Sequence, residues 1–210
     1  MGKWLVGLWA GSLRQSWPAY MVVLAVFILG MTAGYFGVQN LQAEKAQELV
    51  RYLDSFLNQA GMIEVNTEKA LSEVLFNDII IILAFYILGL TVIGIPVVLG
   101  IIFARGFVLG FSVGFLILKK NIQGVVLACA AVLPQNVLFI PALLLGGVIS
   151  LSFTILLTRR FFNSKLLIGP VFFAYSALML MVTACAAGAG LIEVYLTPVL
   201  IKLAAGWVLN

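Results

Sequence analysis

Histidine is absent from the 210 residues, cysteine occurs twice, and charged residues make up only 10% of the chain. Each scarcity excludes something. Without histidine, the usual ligand sets of a catalytic zinc site cannot be assembled. Cys129 and Cys185 stand alone in separate apolar runs, so neither a disulfide framework nor a CxxC pair exists. They are expected to be small buried hydrophobes, and with Glu193 they share no metal-ligand spacing. After Asp78 the only acid is Glu193. Paired acids, or a serine with a base, are the minimum for hydrolysis inside a membrane. The sequence therefore predicts no enzyme, no metal and no cofactor.

What is plentiful is apolar length. Hydrophobic residues reach 63% and mean hydropathy +1.17, whereas a soluble domain usually carries roughly 25% charged residues. The apolar runs are continuous and do not alternate, which excludes barrel strands and predicts helices. The expected fold is an all-α polytopic membrane bundle of five to six segments, some broken or re-entrant, with one external helical hairpin. The net charge of +4 comes from basic residues scattered in ones and twos. They read as topology markers, and no nucleic-acid surface is expected.

Residues 1–18 put Trp4, Leu5, Leu8, Trp9, Leu13 and Trp17 at helical spacing, an interfacial amphipathic helix beside the lipid bilayer. Residues 19–38 have the length of a transmembrane span. Residues 39–78 hold seven of the eight acids. Within them Ala46, Leu49, Val50, Leu53, Phe56 and Leu57 recur at three- and four-residue steps. Gly61 is expected to end that helix and Thr67 to cap a second one. The predicted product is an extracytoplasmic hairpin whose apolar stripe, with Leu49, Leu53, Phe56 and Leu57, is a candidate partner surface.

Residues 79–210 are read as a bundle with broken helices. Residues 79–103 are long enough to span and are interrupted at Gly94-Ile95-Pro96. Gly106, Gly110 and Gly114 repeat every four residues and give one helix a face for close packing or for a homodimer. Pro134 predicts two short helices meeting at Pro134-Gln135-Asn136, with Arg105, Gln135 and Asn136 as candidate intramembrane polar residues. The two amides are expected either to cap helix ends or to line a solute site, with no acid beside them to bind an ion. Residues 167–190 make a further span.

Two topologies follow. In the preferred one the N-terminus is cytoplasmic and residues 106–118 form a half-helix. Lys119, Lys120, Arg159, Arg160 and Lys165 then share the cytoplasmic side and Arg105 stays at its edge. In the other, residues 97–118 cross fully, and Lys119 and Lys120 lie outside. Arg105 then sits deep, where it needs a partner.

Three segments, LGLTVIGIPVVLG, ARGFVLGFSVGFL and AVLPQNVLFIPALLLGG, in that order and spacing, resemble the stage II sporulation protein M family. The likeness covers residues 19–160 most strongly. It implies a multi-pass protein of the cell membrane that acts in forespore engulfment, as a septal scaffold for two peptidoglycan-degrading partners, stage II sporulation proteins D and P. It supplies no catalytic residues. The alternative from the residues alone is a small-solute transporter or channel with its site at the broken helices.

Overall fold

The computed structural model describes residues 17–60, 67–162 and 169–208. They form six helices: α1 Trp17–Gln39, α2 Ala43–Ala60, α3 Thr67–Gly89, α4 Gly94–Ala131, α5 Leu133–Phe162 and α6 Gly169–Val208. No strand occurs among the described residues. All but α2 are long and apolar enough to cross a membrane. The all-α polytopic fold is as expected. The amphipathic helix predicted over residues 2–17 lies, except for Trp17, outside the described residues.

The hydrophobic effect does not drive such helices together once they are in lipid, so close backbone packing and polar contacts must. The seam between α1 and α4 shows the first. Gly30 and Gly34 of α1 abut the backbone of Phe103, Phe107 and Phe111 in α4, and Gly106 and Gly110 of α4 abut that of Phe27 and Met31 in α1, with the two helices running parallel. A Cβ on Gly34 would overlap the Phe107 carbonyl oxygen, and one on Gly110 would overlap that of Met31. The glycine ladder is thus used within the chain, and the surface read as a dimer face is occupied by α1.

Polar contacts join α3, α5 and α6 at the C-terminal end of α3, where helix carbonyls lack intrahelical partners. Ser150 and Tyr175 donate to the Phe85 carbonyl at 2.9 and 3.3 Å, Tyr175 also reaches that of Tyr86 at 2.9 Å, and Thr154 donates to that of Gly89 at 2.8 Å. The Tyr175 ring stacks between Phe153 and Tyr86, at centroid distances of 4.2 and 5.3 Å. Below this cap lie Ile82, Phe85, Ile102 and Leu143, the centre of the core.

Several expectations change. Residues 79–103 are not one span. The chain turns at Leu90–Ile93, and Gly94-Ile95-Pro96 opens α4, where the N–H that proline lacks would have no helical partner. The second helix of the expected hairpin is the first part of α3, which runs unbroken from Thr67 to Gly89. α4 is continuous through Arg105 as far as Lys120, so residues 106–118 are no half-helix. The sharp turn comes at Asn121 (φ 48°, ψ −125°). That conformation matches the first central residue of a type II′ turn, which glycine favours and asparagine tolerates. The expected pair of short helices at Pro134-Gln135-Asn136 is corrected: the break falls at Val132, and α5 beyond it runs 30 residues with Pro134 just inside its start. Both cysteines are exposed on the outer surface of the bundle.

These turns fix relative sides. Lys120 donates to Asp54 of α2 at 2.5 Å, so the Lys119–Lys120 end of α4 shares a side with α2. The preferred topology is overturned in favour of the full crossing. In single-cysteine variants lacking Cys129 and Cys185, Asp54→Cys and Lys119→Cys should label from the same side of the membrane, and Arg159→Cys from the other. Gly110→Leu should cost about 1–3 kcal/mol as an overpacked contact, read as a lower melting midpoint with unchanged oligomer mass. Gly100→Ala, whose Cβ would meet nothing within 4 Å, should leave the midpoint in place.

Candidate functional site

Asp78 lies eleven residues before the end of α3, and Arg105 lies eleven after the start of α4. At 1.5 Å per residue each is about 16 Å from that turn, close to half of a hydrocarbon core about 30 Å thick. Asp78 is 0% exposed. The dense acids before it place it, by sequence alone, in the expected soluble hairpin. The continuation of α3 carries it into the bundle.

Three charges meet there from three helices. Asp78, Arg105 and Glu193 of α6 each interact electrostatically with the other two. Gln135, from the first turn of α5, stands beside the Asp78 carboxylate. Gly190, Glu193 and Thr197 follow one another at three and four residues, so they share a face of α6. A Cβ on Gly190 would come to 3.8 Å from Asp78 Oδ2 and 3.0 Å from Leu75, so this face packs closely on α3.

The charges do not form a tight bridge. Among the described residues the ion pair within 4 Å is Lys120–Asp54. The Arg105 guanidinium instead lies over the Phe139 ring, 5.1 Å from its centroid, a cation–π contact that holds it in place. Both oxygens of Asp78, Oε2 of Glu193 and Oγ1 of Thr197 are buried without a hydrogen-bond partner.

The candidate residues therefore divide. Arg105 and Gln135 join the buried group. Asn136 does not; its amide donates to the Val132 carbonyl at 2.6 Å and so caps the helix break. The expectation that no acid accompanies the amides is corrected at Gln135, where Asp78 is the acid. Leu53 packs with Leu127, Ala130, Leu200 and Ala204, while Leu49 is exposed. The side chains of Phe56 and Leu57 lie outside the described residues. No group of three potential metal ligands occurs among those described.

The stage II sporulation protein M family matches residues 23–198. The chain belongs to this family. With its five apolar helices it is a multi-pass membrane protein of a sporulation-related family. No curated protein and no solved structure matches it. The match takes in α3 from its start and α6 as far as Pro198, so Asp78, Arg105, Gln135, Glu193 and Thr197 all fall within the family region. Asp78, Glu193 and Thr197 were missed as site residues. A signal existed: Arg105 and Glu193 are isolated opposite charges in apolar sequence, and Asp78 directly precedes an unbroken isoleucine run.

Removing one member of a buried charge set typically costs about 3–5 kcal/mol, because the others lose compensation. Arg105→Leu should therefore destabilise strongly, and Arg105→Leu with Asp78→Leu less than the sum of the two single changes. A double-mutant cycle on thermal unfolding reads the coupling. Asn136→Ala should cost about 1–3 kcal/mol, the penalty of a buried group left unpaired, without coupling to Arg105.

Proposed function

We propose that the protein is a non-catalytic membrane scaffold that recruits peptidoglycan-degrading partners during engulfment, as the family resemblance implies for stage II sporulation proteins D and P. The observation that carries this reading is α2. It is an amphipathic helix of 18 residues outside the apolar spans, tethered to the bundle by Asp54–Lys120 and by Leu53. Leu49 (39% exposed) and Tyr52 (75%) are left uncovered. An apolar strip on an otherwise charged helix is a surface for a partner helix or groove.

Lys119, Lys120 and Lys202 lie towards the α2 side, so basic residues no longer distinguish the two sides by number. The α2 side is assigned to the exterior because the partners' substrate, the cell wall, is there; the N-terminus is then cytoplasmic. The transporter reading draws its support from the buried charged group. Against it, the groove at the helix break, about 630 Å³ between α1, α4 and α5, is lined almost wholly by apolar side chains such as Met31, Val113, Val137 and Ile140. Such a groove suits an acyl chain better than a polar solute.

Leu49→Ser with Tyr52→Ser should weaken co-purification with the two hydrolase partners several-fold while the melting midpoint of the bundle stays unchanged. Full retention of both partners would move the recruiting surface off α2. Wild-type protein in liposomes is expected to show no solute flux.

A further inference from the structure

The buried group has unused chemistry. Four oxygen atoms from three side chains, two on Asp78 and one each on Glu193 and Thr197, are buried and make no close hydrogen bond, with only the Gln135 amide beside the Asp78 carboxylate. Asp78 is 0% exposed and Thr197 8%, so bulk water does not satisfy them. An unmade hydrogen bond on a buried neutral group costs about 1–3 kcal/mol, and more on a charged one. Asp78 and Glu193 face one another in the bundle, and Thr197 follows on the same face of α6 about 6 Å further along the helix axis.

Charge points the same way. With both carboxylates ionised and Arg105 protonated, the group carries one net negative charge inside an apolar bundle. A single positive charge would neutralise it. A divalent ion would overshoot with Arg105 so near, and the soft or imidazole ligands favoured by transition metals are absent from the group. Arg105 is held over Phe139 rather than bonded to either acid, so it offsets charge from a distance and leaves the oxygens open. Pro198, inside α6, removes the N–H that would bond the Val194 carbonyl four residues back. The Val194 carbonyl, in the turn of α6 that carries Glu193 and Thr197, therefore lacks the donor that a regular helix would give it. Ionisable residues at such depth commonly mark ion or proton sites.

We propose that Asp78 and Glu193 form a binding site for one monovalent cation, a proton or a sodium ion, with Arg105 as the fixed counter-charge and Gln135 at its edge. The facing groups are Asp78 from α3, Arg105 from α4, Gln135 from α5 and Glu193 from α6. The site is independent of α2 and of partner recruitment, so either reading can fail without the other.

The test uses the full chain in lipid nanodiscs at neutral pH, in sodium chloride and in equimolar potassium or choline chloride. Thermal unfolding is recorded alongside the infrared carbonyl absorption of protonated carboxyl groups. A sodium occupant raises the melting midpoint by several degrees over potassium and choline, and Asp78→Asn abolishes the difference. A proton occupant gives a protonated-carboxyl band in every salt, which Asp78→Asn or Glu193→Gln removes. A wild-type protein with neither the sodium response nor the band overturns the proposal, as does a signal that survives both carboxylate variants. Should those variants fail to fold, the wild-type readings alone decide.

Discussion

An arginine held halfway along a membrane helix dictates what its neighbours must be. The energy of Arg105 in hydrocarbon is several kcal/mol without compensation, and among the described residues two acids, Asp78 and Glu193, come near enough to provide it. Asp78 reaches it because α3 continues unbroken from its polar first turns into the bundle. Glu193 reaches it because Gly190 lets α6 pack closely on α3. The turn at Leu90–Ile93 sets α3 and α4 antiparallel with Asp78 and Arg105 at equal depth. Moving any of these helices by one turn would separate the charges, so the group fixes the register of α3, α4 and α6 together.

The remaining contacts are compatible with that register and supply the adhesion. The α1–α4 glycine seam brings two backbones together where larger side chains could not fit. At the far end, Ser150, Thr154 and Tyr175 take up the last carbonyls of α3, so its C-terminus is satisfied by neighbouring helices instead of water. In lipid this matters more than apolar burial, since lipid tails offer the same apolar surroundings as another helix. Large side chains such as Leu29, Phe173 and Leu180 consequently point outward without penalty.

The fold class was legible because apolar length is a strong signal, and a break close to Pro134 was legible too, although α5 beyond it is a full-length helix and not a short one. Turns were harder. A turn of four residues between Gly89 and Gly94 contains leucine, threonine, valine and isoleucine, with the Thr91 hydroxyl as its only polar side chain. Asn121, the sharpest turn among the described residues, is a single residue beside two lysines that read as a membrane edge. Charge bias also misled. It grouped Lys119 and Lys120 with the other basic residues, while their actual neighbour is an acid 66 positions earlier. The site was half visible: Arg105 and Gln135 stood out as polar residues in apolar sequence. Asp78 was hidden at the boundary of a polar segment, where composition averages conceal a residue that belongs to the next element.

α6 is what relates the buried group to the outer helix. Its Gly190–Thr197 face closes the charged group, and a turn later Leu200 and Ala204 join Leu53 of α2 in a separate small core with Leu127 and Ala130. A rigid helix shared by two sites is the physical minimum for one to feel the other, but sharing alone is not coupling. Coupling would require that α6 have two arrangements which the sites favour unequally. Pro198 lies between the two contacts and interrupts the hydrogen-bond ladder there. A break at that point can act either way: it lets the outer part of α6 settle on α2 without disturbing Glu193, or it serves as the joint about which such arrangements differ. A joint at Pro198 makes changes at Asp78 alter the surroundings of Leu53, whereas a simple break leaves them as they are.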